Sequence, residues 1–230
     1  LSALRLLYGT LIDGEKSNQI RLVEFNKFVK DKGITLQQHA TFEALQFKFL
    51  AEDENAWGWP QWPENFHSFS SQGTKDWCAE NEQEILFWCY CQWVADLQLA
   101  EADKLATSLG MSLGLYRDLA VGVGKNSSEV WANHDLYHEN VSIGAPPDVL
   151  GPLGQSWGLP PISPNQLQQS GYQAFIDLLQ SNMAHCGALR IDHVMAMLRL
   201  WWVPEGATAD RGAYIYYNVH DMLNILALES

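Results

Sequence analysis

Apolar residues recur every three or four positions through the first hundred residues, the period of helices with one buried stripe. Leu4, Leu7, Tyr8 and Leu11 predict a helix over 2–12. Ile20, Val23, Phe28 and Val29 predict a second over 15–32, with Gly33 as its stop. Phe42, Leu45, Phe49 and Leu50 predict a third over 35–53. The stretch Trp57-Gly-Trp-Pro-Gln-Trp-Pro63 breaks helix twice with proline and reads as an aromatic loop. A long helix is expected over 74–109, ended by Gly110.

The pattern then changes. Residues 113–123 form a short apolar run bounded by glycines, the signature of a buried strand. Residues 124–164 read as one long loop, whose Trp, Leu and Ile content argues against disorder. Ser163 and Pro164 make a good helix start, with the serine as cap, and predict a helix over 165–185. A second strand is expected over 187–192, ending on Asp192. A helix over 193–202, a short strand over 214–217 and a helix over 219–230 complete the chain. Strand, loop, helix, strand, helix is the order of parallel βα units. The expected class is α/β: a helical subdomain over 1–109, then a segment over 110–230 with two parallel-type strands.

Composition removes several classes. The net charge of −13 argues against a nucleic-acid surface, which needs clustered Lys and Arg. No apolar stretch reaches the ~18 residues of a membrane span. Cys89 and Cys91 are spaced CxC inside an apolar run, and the four cysteines read as buried reduced thiols rather than a zinc site. With no secretory signal at the first residues, the expected location is the cytoplasm. The chain starts at Leu1 without Met and ends with helical spacing still running, so an excised piece and a natural terminus are both open on those details.

The stretch Ala188-Leu-Arg-Ile-Asp-His-Val194 is the richest in chemistry. Arg190 and Asp192 are two apart, so on a strand they share a face, and Asp192 falls at the C-terminal end. In a parallel barrel that end carries catalytic side chains. An adjacent arginine would keep the carboxylate ionised, which suits a nucleophile attacking an anomeric carbon. The competing reading is that Asp192 caps the helix expected from His193, with Arg190 turned to solvent.

The run from Leu189 to Pro204 resembles the nucleophile region of bacterial amylomaltases, glycoside hydrolase family 77. Thr208 to Tyr214 and Leu226 to Ser230 are similar to the segment that follows it, and Gly144-Ala-Pro-Pro-Asp148 with Gly154-Gln-Ser-Trp-Gly158 to the substrate loop. Tyr116-Arg-Asp-Leu119 with Glu129-Val-Trp131 resembles the third-strand region, although Gly124 to Ser128 lacks the acidic residue that many members place there. The likeness covers 110–230 and is specific in combination.

The resemblance implies a helix-rich fragment of a (β/α)8 TIM barrel from a retaining 4-alpha-glucanotransferase. That enzyme moves alpha-1,4-glucan chains between maltodextrin donor and acceptor without a cofactor or metal. Asp192 matches the nucleophile and Arg190 the arginine that orients it. His193, Asp118, Trp157 and Asp148 match substrate-binding positions. The family's acid/base Glu and a further Asp have no counterpart here, so the resemblance implies an internal fragment that is inactive alone. An incomplete barrel would expose sheet edges, which predicts self-association.

Other signals weigh less. Trp57, Trp59 and Trp62 could bind glucan, but packing on the helices is the plainer reading. His134 and His138 are four apart without a third ligand. Gly122-Val-Gly-Lys125 lacks P-loop spacing, and Glu80 to Glu84 reads as a solvated helix face. The alternatives are a non-catalytic helical domain that binds glucan or a partner through aromatic loops, and a hydrolase of the same clan.

Overall fold

The computed structural model describes residues 1–13 and 19–230. The chain divides into two compact units, Leu1–Leu99 with Asn126–Ala132, and Ala100–Lys125 with Asn133–Ser230.

The first unit is helical. It holds α1 (Ser2–Ile12), α2 (Gln19–Glu52), α3 (Gln72–Glu80), most of α4 (Glu82–Ser108) and the short α5 (Ser128–Ala132). The two helices expected over 15–53 are joined in α2 across a break at Gly33, which adopts φ 57° and ψ −137°. A side chain there would be strained, and glycine is not. The expected start at Glu15 lies outside the described residues. The single helix expected over 74–109 is two helices. Asn81 leaves helical geometry (φ −126°, ψ 31°), and its side-chain amide donates to the Trp77 carbonyl at 2.9 Å. Asparagine offers the backbone this local alternative, so it ends a helix that periodicity alone would continue.

Two apolar clusters hold this unit. In one, Phe25, Tyr90 and Trp93 pack with Leu11, Leu36 and Ile85. In the other, Trp62 lies 5.1 Å from Phe42 and 5.3 Å from Phe49, ring centre to ring centre. Trp131, fully buried on α5, meets Phe42 and Trp62, and its indole donates to the Phe66 carbonyl at 2.8 Å. Trp59 and Trp62 are buried while Trp57 is exposed. Glu84, expected on a solvated face, is instead half-buried in a bidentate pair with Arg5 at 2.6 and 2.8 Å. All four cysteines are free. Cys89 is buried, but Cys78, Cys91 and Cys186 are half-buried, which corrects the expectation of four buried thiols.

The second unit is α/β with a parallel strand pair. Strand β1 (Tyr116–Leu119) runs parallel to β4 (Ala188–Ile191). Both are shorter than the apolar runs that predicted them. Gly187 precedes β4 where the chains nearly touch. A Cβ there would stand 1.9 Å from the Leu113 carbonyl oxygen, and the Gly187 N–H donates to the Leu115 carbonyl at 3.0 Å. The helix expected over 165–185 is α6 (Pro164–Gln169) and α7 (Gln173–Met183), divided where Gly171 and Tyr172 both take positive φ. Ser163 caps α6 through the Gln166 N–H, as its sequence position suggested.

Two expectations fail here for one reason. The stretch 124–164 is not a single loop but contains α5, β2 (Val141–Ala145) and β3 (Gln155–Leu159). The stretch 193–202 is not a helix but a single 3-10 turn (Val194–Met197) followed by strand β5 (Arg199–Pro204). With β6 (Ala213–Tyr216) these make an antiparallel sheet in the order β3-β2-β5-β6. Trp201 and Trp202 are adjacent, so the strand shows no clean alternation, and its hydrogen bonds come from β6 just after it and from β2, far away in sequence. Helix α8 (Val219–Glu229) closes the unit. Leu119, Ile143, Leu167, Phe175, Leu179 and Leu200 are among the residues that form its core. No described helix is long and apolar enough to cross a membrane.

Candidate functional site

The parallel register sets Asp118 opposite Arg190 and Leu119 opposite Ile191. Leu119 and Ile191 pack toward the core, so the alternation of the strands turns Asp118 and Arg190 outward together. The Asp192 N–H donates to the Leu119 carbonyl at 3.0 Å, which carries the ladder one step beyond β4. Asp192 therefore stands at the C-terminal end of the pair.

Arg190 is the hub. Its Nε and Nη2 donate to the two carboxylate oxygens of Asp118, Nη2 to Oδ2 at 2.7 Å. The same Nη2 lies 3.6 Å from Asp192 Oδ1. One guanidinium thus stands between two carboxylates, all three more than half exposed. The hydrogen bonds from Arg190 hold the Asp118 carboxyl below its usual range, and the Asp118 carboxylate raises the guanidinium in turn.

Neighbouring elements brace this group. On β1, Arg117 Nη1 donates to the carbonyls of Ser181 and Ala184, both at 3.0 Å. Those are orphan acceptors at the C-terminal end of α7, where a cation is favoured. On β3, the Trp157 indole meets the His193 imidazole edge to face at 5.2 Å and 90°. The indole N–H donates to Gln155 Oε1 at 2.9 Å. His193 itself has φ 48° and ψ 53°.

The structure therefore brings together Asp118, Arg190 and Asp192, with His193 and Trp157 alongside. It does not bring in Asp148. That carboxylate accepts from the backbone N–H groups of Leu150 and Gly151 and folds the loop between β2 and β3 on itself. The cap reading of Asp192 also finds no support. The turn at 194–197 has His193 at its N-cap position and carries no side-chain cap bond. Arg117 and Gln155 were not singled out from the sequence. Gln155 lies inside the Gly-Gln-Ser-Trp-Gly motif and Arg117 inside Tyr-Arg-Asp-Leu, but their partners are the Trp157 indole and the carbonyls at the end of α7, contacts that neither motif displays.

The other candidates resolve as local structure. His134 Nδ1 pairs with Glu139 Oε1 at 2.5 Å, and the His138 ring meets Trp202 at a 55° tilt and 5.0 Å, so the two imidazoles serve different partners. Among the described residues no group of three or more His, Cys, Asp or Glu could hold a metal ion.

The family described as Glyco_hydro_77, 4-alpha-glucanotransferase, matches residues 1–230. A 4-alpha-glucanotransferase of Haemophilus influenzae is 40% identical over 237 aligned residues, covering 100% of this chain and 34% of that protein. One from Mycobacterium tuberculosis is 37% identical over 210, covering 91% of this chain and 28% of that protein. The crystal structure of amylomaltase from Corynebacterium glutamicum superposes with a TM-score of 0.79 at 31% identity, over 99% of this chain and 29% of that one. An amylomaltase from Streptococcus agalactiae, solved with acarbose, shares the fold at a TM-score of 0.82 and 18% identity, over 100% of this chain and 46% of that one. The chain spans about a third of the length of these two curated relatives. With the family matched from end to end and relatives at this identity, the chain belongs to glycoside hydrolase family 77, the 4-alpha-glucanotransferases.

Proposed function

We propose that this chain is the nucleophile-bearing part of a retaining 4-alpha-glucanotransferase that passes alpha-1,4-glucan chains from one maltodextrin to another. The reading rests on the Arg190 guanidinium held between Asp118 and Asp192 at the C-terminal end of a parallel strand pair. Asp192 attacks the anomeric carbon and forms a covalent glycosyl-aspartate. Arg190, 3.6 Å away, fixes the direction of the attacking carboxylate. Asp118 anchors Arg190 and contacts the donor sugar, while Trp157 and His193 border the same subsite. Asp148 shapes the substrate loop from within.

Retention needs a second carboxyl about 5–5.5 Å from the first, protonated when the leaving group departs. Asp118 is unsuited to that task, because Arg190 holds it ionised. As the family resemblance implies, the acid/base is assigned to sequence outside these 230 residues, and the strands here to part of a (β/α)8 barrel. The chain alone is expected to be inactive on natural glucans. Four free thiols and an acidic surface suit the cytoplasm.

An activated donor tests this directly. Fluoride leaves without protonation, so alpha-maltosyl fluoride bypasses the missing acid: the C1–F bond breaks as the bond from Asp192 Oδ to C1 forms. Mass spectrometry of digested protein should find the maltosyl adduct on the Asp192 peptide, and none after Asp192→Asn. Adduct on another carboxylate, or none at all, would overturn the assignment.

A further inference from the structure

The residue after Asp192 has an unusual backbone. His193 sits in the left-handed region, one of three non-glycine residues with positive φ among those described, with Tyr172 and His185. Histidine visits this region more readily than most residues, though at a cost that alanine pays in full and glycine avoids. A costly conformation persists when its surroundings over-determine it.

Here the surroundings can be named. The His193 carbonyl accepts from the Ala196 N–H at 2.8 Å, which starts the 3-10 turn. The imidazole is held edge to face by Trp157. Trp157 is itself fixed three ways. Its indole N–H is taken by Gln155, its ring packs on the core of the unit, and the next residue, Gly158, donates its N–H to Ser142 Oγ at 2.8 Å. On the other side of Asp192, the strand ladder fixes its N–H on Leu119. The Asp192 backbone is thus pinned before the carboxylate by β1 and after it by a left-handed turn that Trp157 braces.

We infer that Trp157 is a positioning residue: through the His193 ring it holds the left-handed turn that aims the Asp192 carboxylate at Arg190. This deepens the reading of Asp192 as the nucleophile and rests on it. The role differs from a sugar platform, which would require the indole face and no particular backbone at His193.

Two measurements on the 230-residue chain decide it. The first reads the His193 backbone by NMR, from its HN–Hα coupling and Cα shift, and needs no activity. Trp157→Ala should move His193 out of the left-handed region, and Trp157→Phe should keep it there. A left-handed His193 in Trp157→Ala overturns the inference. The second reads the rate of maltosyl-fluoride labelling at Asp192. With the ring gone in both, His193→Gly keeps the turn accessible and His193→Ala does not, so the glycine variant should label about tenfold faster. Equal rates overturn the inference, because the turn at 193 would then not govern the aim of Asp192. If the unaltered chain takes no label at Asp192, the nucleophile assignment fails, and the backbone measurement still decides whether Trp157 sets the turn.

Discussion

Arg190 faces Asp118 across the β1–β4 register and binds it through two nitrogens, while one of those nitrogens stands 3.6 Å from Asp192. The arginine is thus fastened to one carboxylate and leans on another. Asp118 sets where the guanidinium sits, and Asp192 feels its charge.

The first prediction concerns that fastening. Arg190 depresses the Asp118 pKa in the folded chain, so the stabilising effect of the pair is present above the unfolded value and fades as pH falls through the lower folded one. A carboxyl carbon-13 titration should place Asp118 below the reference value of about 3.9. Arg190→Met should return it toward that reference. Because both side chains are more than half exposed, the melting temperature at neutral pH should hardly change in Arg190→Met.

Asp192→Asn should remove labelling by maltosyl fluoride while leaving the fold intact. The side chain is exposed and closes no hydrogen bond of the 3-10 turn after it, so melting should stay within about 2 °C of the parent. A large fall in melting temperature would assign Asp192 a structural role instead.

The geometry of this trio was partly visible in the residues. The two-residue spacing puts Arg190 and Asp192 on one strand face, and the glycine-bounded run at 113–123 and the run from Gly187 to Asp192 identify both parallel strands. The opposition of Asp118 and Arg190 was not visible, because register between residues 72 apart is not a local property. The antiparallel sheet was missed on the same ground. Trp201 and Trp202 interrupt alternation, and β5 is a strand because β2 and β6 flank it. Trp157 could be named from its motif, but its contact with His193 depends on the β2–β3 pairing, whose register shifts between Ile143 and Gly144.

Trp131→Ala should be among the most damaging substitutions in the first unit. The ring is fully buried, touches Phe42, Trp62 and Phe69, and satisfies the Phe66 carbonyl. Urea unfolding should show a loss of about 3–5 kcal/mol. A loss under about 1 kcal/mol would mean the cluster closes over the gap.

Cys89 should react last of the four thiols. Burial pushes it up to about 11, so little thiolate exists near neutrality. A timed iodoacetamide reaction of native protein, followed by peptide mass spectrometry, should leave Cys89 unmodified while Cys78, Cys91 and Cys186 are consumed.

The β1–β4 sheet has two strands and hence two open edges. Such edges template pairing with another chain. Light scattering over a dilution series should give a concentration-dependent mass above that of one chain. A constant monomer mass would show that these edges are too short or too charged to associate.

The return of residues 126–132 to the helical unit has a consequence for synthesis. Trp131 lies at the centre of an aromatic cluster whose other rings come from residues 42–69. On a ribosome those rings emerge first and must wait for their partner while 100–125, which belong elsewhere, are being made. At ~5–20 residues per second the interval between Leu99 and Ala132 is about 2–7 s. During that time the cluster is unfinished and its greasy faces are open to chaperones. A nascent chain stalled before Trp131 should therefore be captured by them far more readily than one stalled well after it.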